Sequence, residues 1–461
     1  MPTRTEPQPS VAPAGAARPR AEGAVGLALL LAWTALRMLA ADGVELRGDE
    51  AWAWLLRQHP APGYVDGPPA VQALLALGEA VGGRTEVALR APFVLLGALS
   101  AALAAVPTRD RELGLLTLAT LPTLCFGGLL VGPDAPLLAA WTLGLVAATR
   151  GAWLLVGVAV GLAGQASTVG LALLPLLVAA RPQALRERGL WLGMGALVVI
   201  LSPYAIWNLQ HELLGWRTEL GRLLAPPEGR WRLGVSLLML GPAAPLLVLW
   251  VLIGWRGDPV DRLCWWSSAP VLLLGALWGG EAGFGAVAWV GPSIGLARWG
   301  GRWARAGWAA GGVAAVLCLI GLLHLRWPVA ALPQDPRDAF AGGRALGESV
   351  RAWDIPVAYT DGMAEAGLVA FYGGVDAAPL PGMEAPAQAQ LWPTQLVDHA
   401  LYVRPWGGNA PLPGDALGYA HGPPGVVGAW VNHTDGEGAR QVRRWQVYEL
   451  TRVATTPDEA P

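Results

Sequence analysis

Three carboxylates, Asp49, Glu50 and Asp66, fall in the stretch "RGDEAWAWLLRQHPAPGYVDGPP" (Arg47–Pro69), directly after the first long apolar run. A carboxylate held at such a boundary can act as a general base, taking the proton of an attacking hydroxyl and contributing about 10²- to 10⁴-fold in rate. Each acid also has a plain structural reading. Asp is a favoured helix N-cap and acids in a first turn complement the helix dipole, so Asp49 and Glu50 fit the start of a short helix over "AWAWLLRQ". Trp52, Leu55 and Leu56 would share one face of that helix, which suits the headgroup layer. Asp66 sits in "GYVDGPP", where Pro68 and Pro69 fix the backbone and can start a second helix, "AVQALLALGEAVGG". Asp134, in "GPDAP", occupies another tight turn.

The elements that must hold these residues are membrane helices. The chain has 461 residues, of which 54% are hydrophobic and 14% charged, against about 25% charged in soluble domains. Its mean hydropathy is +0.41. A net charge of −2 gives no basic excess, which sets nucleic-acid binding aside. Lysine is absent, so any phosphate must be met by Arg. Cys125, Cys264 and Cys318 lie in or beside apolar runs and form neither a disulfide framework nor a metal-ligand spacing.

A helix needs about 20 apolar residues to cross the hydrocarbon layer. Runs of that order begin near Ala24, Ala91, Leu113, Pro136, Ala152, Thr168, Leu190, Leu233, Trp265, Phe284 and Gly307, which gives about eleven spans. Residues 1–22 read as a cytoplasmic disordered tail and 23–325 as the transmembrane domain, with an outer loop at 43–90. With the N-terminus in the cytoplasm, Arg109, Arg111, Arg150, Arg181, Arg186, Arg188, Arg256, Arg262, Arg298, Arg302 and Arg305 all fall inside. Asp49, Asp66 and Asp134 then share the outer side, which turn chemistry does not explain. Residues 326–461 change character: "IPVAYTD", "HALYVRPW" and "RRWQVYELTRV" read as strands, and "GGRALGESVRAW" as a helix packed on them. A small extracytoplasmic α/β domain is expected there.

The stretch "GDEAWAWLLRQHPAPGYVDGPPAVQALLALGEAVGGRTEVALRAPFVLLG" resembles the first outer loop of bacterial family-39 glycosyltransferases. That membrane group includes protein O-mannosyltransferases and aminoarabinose or galacturonic acid transferases acting on lipid A. "GPDAPLLAAWTLGL" is similar to the family's Pro-Asp-x-Pro segment, and "SPYAIWNLQHELLGWRTELGR" to its Pro-x-x-x-Trp-Asn-x-Gln-His segment. "DPRDAFAGGRALGESV" and "TDGMAEAGLVAFYGG" also fit the family's tail. Three positions depart from it. Gly67 stands where the family reads His in Asp-His-Pro-Pro, "GQASTVG" where it has a Lys-Tyr pair, and "GAVAWVGP" where it has Asn-Trp-Pro.

The resemblance implies an all-α polytopic membrane protein of the C-type glycosyltransferase fold, in the inner (plasma) membrane, with the C-terminal domain outside. It implies a sugar carried on polyprenyl phosphate, attack by an extracytoplasmic acceptor (lipopolysaccharide, glycan or protein), and inversion at the anomeric carbon. Asp49 is the expected base, with Glu50 orienting the acceptor. Arg84, Arg90, Arg217 and Arg222 are the cations available to a phosphate, although each also reads as an interfacial Arg facing headgroups. A divalent metal held by Asp49 and Asp134 is the other way to offset that charge. Tyr64, Asp66, Trp207, Asn208, His211 and Glu281 complete the expected substrate-binding set. His211 and Glu281 also fit, respectively, a hydrogen-bonded loop and a solvated turn.

Two rivals make different demands. An inactive relative serving as an assembly or acceptor-binding subunit would fit the missing His and Lys. A transporter or flippase would carry ionisable residues within its spans and paired broken helices in two halves.

Overall fold

The first apolar run folds as a 23-residue helix, α1 (Pro19–Ala41), which leads through a short link into the stretch 43–90, the loop expected on the outer side. The computed structural model describes residues 19–224, 240–278, 284–327, 335–380, 396–407, 419–432 and 439–453, with four single residues between them. Helix α1 begins inside the stretch expected as a tail; residues 1–18 lie outside the described residues. The outer loop carries α2 (Gly48–Arg57) and α3 (Ala70–Gly82), and α4 (Glu86–Ala105) returns into the apolar layer. There follow α5 (Arg111–Thr120), α6 (Pro122–Gly127), α7 (Asp134–Thr149), α8 (Trp153–Ala166), α9 (Leu173–Ala180), α10 (Arg188–Gln210) and α11 (Leu214–Leu224).

Four helices among the described residues are long and apolar enough to cross a membrane: Ala24–Ala41, Glu86–Ala105, Arg188–Gln210 and Arg302–Arg326. Other expected spans are shorter or interrupted where they are described, and the start of the run from Leu233 lies outside the described residues. The run from Leu113 divides into α5 and α6 at Pro122, whose nitrogen has no hydrogen to continue the ladder. The run from Thr168 opens on a 3₁₀ turn before α9. Helix α7 has 16 residues and rises about 24 Å, short of the roughly 30 Å hydrocarbon layer.

The chain after the last long helix builds a six-stranded mixed sheet among the described residues. Strand β1 (Val357–Thr360) pairs in parallel with β2 (Asp376–Pro379) and β3 (His399–Pro405). Strand β6 (Ala439–Arg452) runs antiparallel to β3, β4 (Tyr419–His421) and β5 (Gly425–Asn432). β1, β3 and β6 lie on the three segments expected to form strands, and helix Gly343–Arg351 on the expected helical one.

The outer loop and this sheet share one hydrophobic core, in which Leu46, Trp52, Leu56 and Phe93 pack with Leu346, Phe371, Leu401 and Val447. Removing such side chains together from water stabilises the contact by roughly 25 cal/mol per Å² of apolar surface. Close approach tightens it: a β-carbon on Gly367 would come within 2.3 Å of the Trp52 amide, and one on Gly48 within 2.5 Å of Ala364. Polar ties reinforce the junction. Arg344 pairs with Glu86 at 2.7 Å, and the Tyr372 hydroxyl accepts from the Leu46 amide at 2.7 Å. The start of α2 is thereby fixed against the C-terminal sheet.

Candidate active site

Asp49, Asp66 and Asp134, although far apart in sequence, line one cavity of about 410 Å³. Trp52, Gln72, Ser167, Glu219 and Arg222 complete its polar wall. Asp49 is the second residue of α2 and its side chain is 60% exposed. Its Oδ1 accepts from the Glu50 amide at 3.0 Å, while Oδ2 meets Arg47 Nη2 at 2.7 Å.

Asp66 is held by three elements. Tyr64 and Gly67 exchange backbone hydrogen bonds at 3.1 and 3.2 Å, closing a turn that aims the carboxylate inward. Trp52 Nε1 donates to Asp66 Oδ2 at 2.9 Å, and Arg222 Nη2 donates to Oδ1 at 2.8 Å. Gly67 has φ +145°, a conformation that glycine alone adopts cheaply. The departure from the family's His therefore comes with a turn that a β-carbon would strain.

Glu219 and Arg222 are a turn apart on α11 and face the cavity together. Glu219 accepts from Ser167 Oγ at 3.0 Å and the Thr168 amide at 3.1 Å, and also binds the Thr168 hydroxyl. The "GQASTVG" segment thus anchors an acid in the cavity wall where the family has a Lys-Tyr pair. Gln72 is buried and its Oε1 has no hydrogen-bond partner among the described residues. An unpaired buried acceptor costs about 1–3 kcal/mol, so this wall is ready for a donor.

Several expected site residues lie elsewhere. Glu50 is 1% exposed and forms a bidentate pair with Arg90, also 1% exposed, at 3.0 Å through Nε and 2.6 Å through Nη2. Glu50 further accepts from the amides of Arg47 and Val131, both at 2.9 Å. Arg90 donates to the carbonyls of Ala41, Val44 and Glu45. Neither reaches the cavity, because two charges this deeply buried must satisfy one another. Arg84 binds the carbonyls of Ala370 and Phe371 and lies over the Trp54 ring at 4.4 Å, so it belongs to the junction with the sheet. Arg217 is exposed on α11, away from the cavity lining.

Tyr64, Trp207, Asn208 and His211 support the site from behind. The Tyr64 hydroxyl donates to the His59 carbonyl and accepts from the Ala61 amide, both at 3.1 Å. Trp207 closes on Gly63, where a β-carbon would fall 2.7 Å from its ring. His211 stacks on Trp207 at 4.4 Å, and its Nδ1 lies 2.8 Å from the Trp207 carbonyl. Glu212 and Leu213 both have positive φ, 56° and 62°, in the turn between α10 and α11. Asn208 secures that turn, its Oδ1 accepting from the Trp216 amide at 3.0 Å and its carbonyl from Leu213 at 2.7 Å. These residues aim α11, and with it Glu219 and Arg222, at the cavity. Glu281 lies outside the described residues.

Asp49 and Asp134 share the cavity, but no group of three or more His, Cys, Asp or Glu side chains that could hold a metal ion occurs among the described residues.

A strongly apolar groove of about 530 Å³ borders the cavity. Pro68 and Ala166 line the cavity, while their chain neighbours Pro69 and Gln165 line the groove. Leu74, Leu96, Leu99, Leu103 and Leu143 form the groove's walls.

Residues 66–207 match the family described as dolichyl-phosphate-mannose-protein mannosyltransferase. No curated protein matches the chain by sequence. Among solved structures, ArnT from Cupriavidus metallidurans bound to undecaprenyl phosphate is similar at a TM-score of 0.66 and 16% identity, over 94% of this chain and 98% of that one. ArnT from the same organism in the apo state is similar at a TM-score of 0.63 and 17% identity, over 93% of this chain and 98% of that one. The family match runs from the Asp66 turn to Trp207, and the fold of ArnT is shared over nearly the whole length of this chain.

Proposed function

We propose that the protein transfers a sugar from a polyprenyl-phosphate donor to an acceptor hydroxyl at the outer face of the membrane, with Asp49 as the base. The observation that carries this reading is the pairing of an acid-lined polar cavity with an apolar groove at its edge. A lipid-linked sugar needs both: a hydrogen-bonding pocket for the saccharide and an apolar track for the chain. The undecaprenyl phosphate in the ArnT structure has this chemistry.

The residues divide the work by exposure. Asp49 is the accessible carboxylate of the outer loop's first helix, whereas Glu50 is spent in its buried pair. Asp49 takes the acceptor proton, the acceptor oxygen bonds to the anomeric carbon, and the bond from that carbon to the phosphate oxygen breaks. The leaving polyprenyl phosphate carries the electron pair. A phosphate leaves without a proton, so a single base suffices and direct displacement inverts the anomeric centre. Arg222 is the arginine at the cavity wall, and its guanidinium can turn from Asp66 to the phosphate oxygens, which it matches in a two-point fork. Asp66, Glu219 and Gln72 offer acceptors for sugar hydroxyls. In this reading the cavity and the C-terminal sheet lie outside and the N-terminus in the cytoplasm.

The deciding experiment is transfer from a radiolabelled undecaprenyl-phosphate sugar to a membrane-envelope extract by the wild type and Asp49→Asn. Loss of about 10²-fold or more in rate, with insertion and folding intact, is expected. Undiminished turnover by Asp49→Asn would remove the base assignment. Absence of transfer by the wild type, with donor still bound, would favour the inactive-subunit reading.

A further inference from the structure

Helix α4 has 20 residues and rises about 30 Å, the thickness of the hydrocarbon layer. Its first residue, Glu86, is tied to Arg344 at the C-terminal domain. Its last, Ala105, therefore lies at the opposite boundary of the apolar layer. A cavity of about 690 Å³ opens there, where α1, α4, α5 and the helix Arg302–Arg326 converge. Leu27 and Leu30 line its apolar part, and Arg109, Arg111 and Glu112 its polar part.

Helical spacing positions the charges on α5. Leu115, another lining residue, follows Arg111 by four positions and Glu112 by three, so both charged side chains flank it on one face. That face meets α1: a β-carbon on Gly26 would fall 3.0 Å from Leu115 Cδ1 and 3.7 Å from Glu112 Cγ. Arg111 is exposed and Glu112 half-buried. Among the described residues, no ion pair or side-chain hydrogen bond engages either. Asp110 differs, because its Oδ1 accepts from the Leu113 amide and its Oδ2 from Trp308 Nε1, both at 2.9 Å. Arg109 lies 3.7 Å from Asp258 and its side chain is 70% exposed, which leaves most of its donors available.

We infer that this slot binds a phospholipid whose head group joins a phosphodiester to a primary amine, phosphatidylethanolamine in its simplest form, from the leaflet opposite the acid-lined cavity. Charges of both signs above an apolar floor match such a molecule. The phosphodiester suits the Arg111 guanidinium, with Arg109 adding attraction. The ammonium suits Glu112, to which it donates hydrogen bonds that a trimethylated amine lacks. An acyl chain suits Leu27 and Leu30, and the Trp308 indole, fixed by Asp110, suits the boundary between head group and chain. A purely anionic lipid would leave Glu112 beside a phosphate with no cation to answer it. The inference stands apart from the transfer reading and uses none of its residues.

The test is native mass spectrometry of the full chain released from nanodiscs of equimolar phosphatidylethanolamine, phosphatidylcholine and phosphatidylglycerol with matched acyl chains. The wild type should retain phosphatidylethanolamine about fivefold or more over phosphatidylcholine. Glu112→Gln should abolish that preference. Arg111→Gln, a change at an exposed side chain, should lower retention of phosphatidylethanolamine by about fivefold. Equal retention of the amine and choline lipids by the wild type would overturn the inference, as would phosphatidylglycerol exceeding phosphatidylethanolamine. So would a preference that survives Glu112→Gln, or retention unchanged in Arg111→Gln. Soluble glycerophosphoethanolamine should not displace the lipid at equal concentration; displacement would overturn the assignment to a lipid.

Discussion

Arg222 clasps Asp66 from a helix 156 positions away in sequence, at 2.8 Å from Nη2 to Oδ1 and 3.2 Å from Nη1 to the backbone carbonyl. This contact brings a cation to the turn in which Gly67 replaces the family's His. Arg222→Gln should weaken undecaprenyl phosphate binding by about tenfold or more. Arg222→Lys should recover only part of it, because an ammonium lacks the two-point fork. Calorimetry on the nanodisc-embedded chain measures both.

Gly67 offers a second test. Restoring the family residue with Gly67→His would force a β-carbon into φ +145°, a strain of about 1–3 kcal/mol. The variant should melt earlier and bind no more donor than the wild type. Tighter donor binding at unchanged Tm would show that the turn adapts.

The buried pair of Glu50 and Arg90 separates structural from catalytic acids on one helix. Glu50→Ala leaves Arg90 charged and unpaired in an apolar setting, at a cost of about 3–5 kcal/mol. Its Tm in detergent should fall sharply. Asp49→Asn, at an exposed side chain, should lose activity with little change in Tm.

Gln72 predicts a kinetic split. Gln72→Leu removes an unpartnered buried acceptor, so it should leave stability equal or raise it. Turnover should fall by about tenfold if a sugar hydroxyl or amine binds there. An unchanged kcat/KM would exclude that contact.

Much of the architecture was legible in the amino-acid order. The apolar runs dictate membrane helices, because no other open structure satisfies its backbone there. Strand patterns mark β1, β3 and β6, since alternating apolar residues must face a core. The number of spans was less legible: Pro122 and the 3₁₀ turn at Thr168 break runs that hydropathy treats as continuous.

The sequence by itself determined which residue types were available to a site: the aspartates, the absence of lysine, and an Arg-only supply of cations. Tertiary structure decided which of them face substrate. Asp49 and Glu50 are neighbours, but one step along a helix rotates a side chain by about 100°, which sends one to the cavity and the other into the pair with Arg90. Arg90 and Arg222 are alike as letters; burial uses up the first, and the turn held by Asn208 carries the second to Asp66. Only the docking of the sheet on α2 brings Trp445 and Val447 into one core with Trp52 and Leu56, because a chain can pair distant residues only through the core they share.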